Sequence, residues 1–75
     1  MPRTPRVGDA EILRQIRLHP DPVITAQELS KSVDYTPDGV RRRLYTLEEK
    51  GLVKRREVGA NAVVWWLTDE GREAI

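Results

Sequence analysis

Three consecutive arginines occupy positions 41, 42 and 43 of a 75-residue chain. A guanidinium can pair bidentately with a phosphate or with O6 and N7 of guanine. On a helix the three would span about 200°, because successive residues are rotated by about 100°, so they cannot all contact bases. We predict that Arg42 contacts base edges, Arg41 a base or a phosphate, and Arg43 a phosphate or a structural partner. The alternative is a solvated helix face on which Glu48 and Glu49 pair with the arginines.

A second basic group lies just before a short turn. Lys54, Arg55 and Arg56 are consecutive in a β-prone run, and Asn61 stands at the predicted tip of a hairpin. Basic side chains on such a hairpin can bind flanking phosphates or the minor groove of DNA. Positive charge on an edge strand also serves simply to prevent aggregation. We favour DNA contact, most of all for Arg55 and Arg56.

The residues before the arginines have the pattern of a helix start. Thr36 is a predicted N-cap, and Asp38 lies near the positive helix end, whose free amides can approach a phosphate. Asp38 can instead accept from a cytosine amine or an arginine, or be a plain helix-start charge. A glycine inside a helix, such as Gly39, costs about 1 kcal/mol relative to alanine. Its presence here is explained either by a close approach of the backbone to DNA or by the fact that the first turn of a helix tolerates glycine. Tyr45 completes the predicted outward face.

Two tryptophans point to opposite faces of the second run of the hairpin. Trp65 shares its face with Val63 and Leu67 and is predicted to be core. Trp66 and Val64 are then turned outward, where a large aromatic side chain is unfavourable in water. Trp66 can pack within the domain or belong to a dimer interface. We favour a partner surface formed by Trp66 and Val64.

Other kinds of site have little support in the sequence. The chain has no cysteine and one histidine, His19. A favourable interaction with the dipole at the C-terminus of a helix is enough to explain a histidine at this position. With only scattered carboxylates, no metal-ligand pattern results. Ser30 and Ser32 have no paired base, and no glycine-rich phosphate loop is present. We therefore predict no catalytic activity, cofactor, metal or small-molecule ligand.

Charge is unevenly distributed along the chain. Residues 35–56 carry seven basic and three acidic side chains, a net charge of +4, which leaves −3 for the rest of a chain whose total is +1. A basic segment of this kind favours nucleic acid as a partner. No apolar run is long enough to span a bilayer or serve as a signal peptide, so we predict a cytoplasmic protein without a membrane partner.

Two predicted helices precede the arginines. The first covers residues 10–19, with Asp9 as its N-cap and prolines after it. The second begins at the capping box TAQE, residues 25–28, in which the threonine and glutamate side chains satisfy each other's backbone amides. It is predicted to end near residue 32 or 33. Between the two helices, residues 23–24 form a β-branched stub that can pair as a strand.

The third predicted helix carries the arginines and covers residues 37–50, with Gly51 as its C-terminal stop. A turn of about three residues separates it from the second helix, the spacing of a helix-turn-helix. Asp34 lies in that turn, and we predict a left-handed backbone for it. The predicted buried stripe is Val40, Leu44 and Leu47, and the predicted outward side is Asp38, Arg42, Tyr45 and Glu49.

The remainder of the chain reads as a hairpin followed by a short helix. Residues 52–58 and 62–68 are β-prone, and the loop at 59–61 contains two residues that accept positive φ. A last short helix begins at Thr68. The predicted fold class is α+β, a three-helix bundle with a C-terminal β-hairpin.

Two motifs within these elements resemble a known superfamily. VRRRLYTLEEKGLV (residues 40–53) and LTDEG (residues 67–71) are similar to the recognition helix and the end of the wing in winged helix-turn-helix transcriptional regulators of the MarR and ArsR kind, including small archaeal and phage-repressor regulators. The resemblance covers residues 9–75, and residues 1–8 are predicted to be a flexible arm. It implies a third helix in the major groove and a wing on the flanking minor groove or backbone.

The resemblance and the basic residues together predict a sequence-specific regulator, a repressor that binds double-stranded DNA as a homodimer. The alternative is a winged-helix module that binds proteins within a larger assembly, because this fold is used for both purposes. The arginine triplet and the basic wing favour DNA. A net charge near zero and the outward Trp66 are compatible with the alternative.

Overall fold

A computed structural model of the chain describes residues 8–75, so residues 1–7 of the predicted arm lie outside the described part. Its elements follow the predicted order and form an α+β winged helix. No helix within the described range is long and apolar enough to cross a membrane. The elements are α1 (Asp9–Leu18), α2 (Ala26–Ser30), α3 (Pro37–Glu49), β1 (Val53–Val58), β2 (Ala62–Leu67) and α4 (Asp69–Glu73).

Helix α1 starts one residue earlier than predicted, and the assignment of Asp9 as N-cap is wrong. Gly8 is the N-cap, and its carbonyl accepts from the backbone N–H groups of Glu11 and Ile12. Asp9 is the first helical residue, and its carboxylate contacts Arg43 of α3 and Lys50 just after α3 instead of capping its own helix. A negative charge at this position still suits the helix dipole. The helix ends at Leu18, before the proline that disfavours helical backbone.

The capping box of α2 is confirmed in both directions. Thr25 Oγ1 accepts from the Glu28 backbone N–H at 3.0 Å, and the Glu28 carboxylate accepts from the Thr25 N–H at 3.0 Å. The latter hydrogen bond lowers the pKa of Glu28. The helix is shorter than predicted and ends at Ser30, whose hydroxyl donates to the Gln27 carbonyl at 2.7 Å. Such a side-chain bond to the backbone competes with continuation of a helix.

The turn between α2 and α3 contains no left-handed residue, so the prediction for Asp34 is wrong. Among residues 8–75 only two glycines have positive φ. Since α2 ends early, six residues connect the helices, and this longer connection reverses the chain without a strained backbone. The predicted start of α3 is confirmed, with Thr36 Oγ1 accepting from the Gly39 N–H at 3.1 Å and Pro37 in the first position.

Helix α3 ends at Glu49, one residue before the prediction, and Gly51 stops it with φ +79. The hairpin that follows pairs β1 with β2 in antiparallel register. In its loop Gly59 has positive φ, at 66, and Asn61, the other residue that accepts such a backbone, does not adopt it. One left-handed position is enough to close this connection, and the predicted hairpin is confirmed.

Trp65 is the largest side chain of the core and is 1% exposed. Its backbone forms a two-way bridge with Ile24, with N–O distances of 2.8 and 3.0 Å, which confirms the predicted strand stub. The hairpin is therefore attached to the helices through the centre of β2. The buried apolar residues are Ile12, Leu13, Ile16, Ile24, Ala26, Leu29, Val40, Leu44, Leu47, Val53, Trp65 and Leu67.

A tight corner joins the end of the wing to the segment after α3. Thr68 Oγ1 donates to the Gly51 carbonyl at 2.6 Å and accepts from the Gly71 N–H at 3.0 Å. The Thr68 N–H donates to the Leu52 carbonyl at 3.1 Å. Gly71 is buried so closely that a Cβ there would overlap the Leu52 carbonyl oxygen. The LTDEG motif thus supplies a cap and a close contact between backbones.

Candidate nucleic-acid interface

Arg42 lies on the exposed side of α3, between the buried Val40 and Leu44. Within the described part of the chain, no acidic side chain pairs with its guanidinium. The backbone carbonyl of Arg42 accepts from the Thr46 hydroxyl at 3.2 Å, one turn further along α3. An arginine with an unoccupied guanidinium on a rigid helix is suited to bidentate recognition of a base edge or a phosphate.

Arg41 is already paired with an acid one helical turn away. Its Nη1 lies 2.6 Å from Asp38 Oδ1, and the side chains are 48% and 80% exposed. A pair this exposed contributes little to stability, typically about 0–1 kcal/mol. Arg41 can therefore exchange Asp38 for another anion at small cost. Of the alternatives for Asp38, the contact present here is acceptance from an arginine.

Arg43 belongs to a cluster that joins α1 to α3. It donates to the Tyr35 hydroxyl at 3.0 Å and to Asp9 at 3.3 Å, and its guanidinium lies 5.5 Å from the centroid of the Tyr35 ring. Lys50 also contacts the Asp9 carboxylate, at 3.3 Å. Of the two roles predicted for Arg43, these contacts correspond to the structural pair.

The basic residues of the wing lie on two faces. In the register of the hairpin, Arg55 is opposite Trp65 and shares its face, whereas Lys54 is opposite Trp66. Arg55 points to α3, where its Nε lies 3.2 Å from Glu48 Oε1 and its guanidinium lies 5.3 Å from the Tyr45 ring centroid. The sequence analysis did not predict these contacts, although strand alternation already places Arg55 on the opposite face of the hairpin from Lys54 and Arg56.

The other face of the wing combines charge with apolar surface. Lys54 and Arg56 are exposed, and neither forms an ion pair with a described residue. Trp66 and Val64 lie on this face, opposite Trp65, as predicted, but both are partly buried. Trp66 and Val64 therefore expose less apolar surface than the alternation pattern alone indicated. The exposed Val58, at 41%, extends this face toward the loop.

Some of the candidates on α3 and on the wing meet at one cleft. Arg41 and Tyr45 line it from α3, Asn61 and Val63 line it from the wing, and Gln27 lines it from α2. Arg41, Tyr45 and Asn61 therefore face one cleft, whereas the other predicted basic residues do not line it: Arg42, Arg43, Lys54, Arg55 and Arg56. Chemically, this cleft offers a guanidinium, two amides and an aromatic ring.

The start of α3 is built from contacts within the chain. The Thr36 hydroxyl is occupied by its capping bond, and a Cβ at Gly39 would lie 3.4 Å from Thr36 Oγ1, an ordinary contact. Packing within the domain therefore does not require glycine at position 39. Across residues 8–75, no group of three or more histidine, cysteine, aspartate or glutamate side chains could hold a metal ion.

Known proteins share this sequence pattern and this fold. A family model described as winged helix-turn-helix DNA-binding matches residues 9–54. Over 48 residues the chain is 40% identical to a Haloarcula marismortui protein named for a DNA 3'-5' helicase, Rad25, and this match covers 64% of the chain and 8% of that protein.

Solved structures with a similar fold are MarR-family and other transcription regulators. A variant of MarR from E. coli, complexed with operator DNA, has a TM-score of 0.75 and 28% identity, covering 87% of this chain and 46% of that one. MepR from Staphylococcus aureus has a TM-score of 0.76 and 23% identity, covering 87% and 48%. BldR from Sulfolobus solfataricus has a TM-score of 0.73 and 24% identity, covering 88% and 47%. The last two likenesses show the fold alone.

The chain spans less than half the length of these regulators and a small part of the helicase. The family model matches more than half of the chain, from the first residue of α1 to the second residue of β1. The helices and the two-stranded antiparallel hairpin form a winged helix, as the similarity to the solved regulators indicates. The chain therefore belongs to the winged helix-turn-helix DNA-binding family.

Proposed function

We propose that this domain binds double-stranded DNA sequence-specifically and acts as a transcriptional repressor. The observation that carries the proposal is Arg42, which is exposed on α3 without an acidic partner in the described chain. In this proposal α3 enters the major groove, and Arg42 contacts base edges. Arg41 exchanges Asp38 for a base or a phosphate. No catalytic activity is part of this proposal.

The wing and the start of α3 supply the remaining contacts in this proposal. Lys54 and Arg56 have no acidic partner among the described residues, so they can neutralise flanking phosphates, and Asn61 reaches the minor groove from the loop. The backbone at Thr36 and Gly39 approaches the DNA backbone, with Asp38 beside it. The similarity to a regulator solved with operator DNA supports this arrangement.

Binding to duplex DNA is expected to weaken steeply as salt is added. Each phosphate that the protein neutralises contributes about 0.9 to the slope of log K against log salt. Replacing Arg56 by glutamine should lower that slope by about 0.9 if Arg56 pairs with one phosphate. The matched control is Arg17→Gln on α1, which removes the same charge from an exposed position away from the candidate surface. A flat salt response of the wild type would contradict the proposal.

We also propose that the domain forms a homodimer through Trp66 and Val64. The support is the partly exposed apolar surface of Trp66 and Val64, together with the small core of a short chain. Lys54 and Arg56 lie directly opposite these two residues on the same face, so in the dimer both basic side chains must stay at the edge of the contact to reach phosphates. Mass measured in solution at micromolar concentration should be that of a dimer, and Trp66→Ser should shift it toward the monomer. Val23→Ser, which changes an exposed apolar residue outside the hairpin, should not. A monomer both free and on DNA would contradict the dimer.

A second candidate function is a module that binds proteins inside a larger assembly. The segment that aligns with the Haloarcula marismortui protein is only 8% of that protein. A related segment is therefore part of a much longer chain there, which supports this alternative. The salt titration separates the two candidates. A module of this kind would show no salt-dependent affinity for duplex DNA.

A further inference from the structure

We propose that Arg55, Tyr45 and Glu48 form a latch that fixes the angle between the wing and α3. In this role the three are positioning residues for DNA binding, in place of the direct contacts that the sequence predicted for Arg55 and Tyr45. The inference rests on the proposed function, since the wing that is positioned is the one that would track DNA.

The latch connects a surface arginine to the centre of the core. The Tyr45 ring meets the Trp65 ring edge-on, with centroids 5.5 Å apart and planes at 75°. The Arg55 guanidinium lies over the Tyr45 ring at 5.3 Å, and its Nε is 3.2 Å from Glu48. Two residues of α3 thus hold one residue of β1, and Trp65 holds the tyrosine in place.

The position of Arg55 along β1 explains why these contacts can affect the angle of the hairpin. Val53 is buried, whereas every later residue of β1 is exposed. Apolar packing of β1 therefore ends at the base of the hairpin, and Arg55 makes a contact with α3 two residues further toward the loop. A two-stranded hairpin is marginally stable alone, so its angle depends on such side contacts. Trp65 and the Ile24 bridge anchor β2, so the latch is what holds the outer part of β1, and with it the loop and Asn61, at one angle to α3.

The charges around Arg55 argue against a phosphate at that position. Its guanidinium is 3.2 Å from the Glu48 carboxylate and 4.0 Å from that of Glu57. A phosphate brought to Arg55 would meet two negative charges, and repulsion would offset the attraction of a single arginine. Lys54 and Arg56 point to the other face, where no such acidic partner is found among the described residues.

The decisive experiment compares Glu48→Gln with Glu49→Gln. Removal of a carboxylate near DNA normally strengthens binding, because repulsion of the phosphates falls. If Glu48 acts through the latch, Glu48→Gln should instead weaken binding, by up to about fivefold for the loss of one partly exposed pair. Glu49 is exposed and forms no ion pair within the described chain, so Glu49→Gln should bind as tightly as the wild type or more tightly. Equal or tighter binding by Glu48→Gln would overturn the latch.

Substitutions of Tyr45 separate the ring from the hydroxyl. Tyr45→Leu removes both ring contacts and should weaken binding about as much as Glu48→Gln. Tyr45→Phe keeps the ring against Trp65 and beneath Arg55, so it should restore the affinity that Tyr45→Leu loses. If Tyr45→Phe binds as weakly as Tyr45→Leu, the hydroxyl contacts DNA and the latch is wrong.

A measurement on the free protein distinguishes failure of the latch from failure of DNA binding. Residual dipolar couplings of the backbone amides report the orientation of β1 and β2 relative to α3. We expect them to change in Glu48→Gln and Tyr45→Leu, and to stay as in the wild type in Glu49→Gln and Tyr45→Phe. An unchanged orientation in Glu48→Gln would overturn the latch even if its DNA affinity falls. Absence of DNA binding by the wild type would refute only the proposed function.

Discussion

Replacing Gly71 by alanine is expected to destabilise the domain by about 3 kcal/mol or more, at the upper end of the usual cost of overpacking. The added Cβ would overlap the carbonyl oxygen of Leu52, and it would also meet the Leu67 side chain at 3.2 Å. The obstructing oxygen belongs to the backbone, so no rotamer change relieves the overlap. Helix α4 must move, and the Thr68 bonds to Gly51 and Leu52 are lost with it.

Thermal unfolding measures this effect directly. For a domain of this size, a loss of about 3 kcal/mol lowers Tm by about 12 °C or more. Gly39→Ala is the matched control, because a Cβ there finds ordinary contacts and removes the flexibility of a glycine inside a helix. It should raise stability by up to about 1 kcal/mol. If Gly71→Ala melts like the wild type, the close contact between α4 and the segment after α3 is wrong.

Arg42→Ala is expected to abolish specific DNA binding and leave the fold intact. The side chain is exposed and has no partner among the described residues, so its removal opens no cavity and leaves no buried group unpaired. Loss of a bidentate base contact costs about 1–3 kcal/mol and relaxes the preference at one base position. The measurement is titration of a DNA site obtained by selection from random sequences, beside thermal melting of the same variant.

Leu44→Ala gives the opposite combination of effects. Leu44 is 0% exposed between α3 and the rest of the core, so truncation should lower stability by about 2–5 kcal/mol through an unfilled cavity. Binding is then lost only because the domain unfolds. Early melting of Arg42→Ala would mean that Arg42 supports the fold. Wild-type affinity and base preference in Arg42→Ala would mean that another surface meets DNA.

Local chemistry made much of this fold predictable. The capping box at Thr25 and Glu28, the N-cap at Thr36 and the glycine after α3 each depend on residues within a few positions of one another. Their hydrogen bonds form wherever the segment is helical, so no knowledge of the rest of the chain is needed. Alternation along β2 likewise placed Trp65 in the core, because the side-chain period of a strand is two residues.

The errors arose where distant residues decided the outcome. Asp9 has the type of an N-cap, but Arg43 and Lys50, far along the chain, attract its carboxylate. Asp34 was predicted to be left-handed on the assumption of a three-residue turn. Because α2 ends early, at Ser30, the turn is longer and needs no left-handed residue.

The candidate interface was predictable as a set of basic residues but not as an arrangement. Charge and spacing identify Arg41, Arg42 and Arg43 on one helix, and the structure then divides them into one unpaired, one exchangeable and one structural side chain. Which arginine finds an acid depends on elements that the sequence does not place relative to one another. The pairing of Arg55 with Glu48 across two elements is of this kind.

The position of Trp65 in the chain has a consequence for the order in which the core can form during synthesis. Helices α1, α2 and α3 all precede β2, yet the largest buried side chain and the partner of the Ile24 bridge both come from β2. A chain elongated only as far as the hairpin loop lacks Trp65 and both hydrogen bonds that its backbone makes with Ile24. Completion of the core therefore waits for β2, and the wing is the part of the chain that closes it.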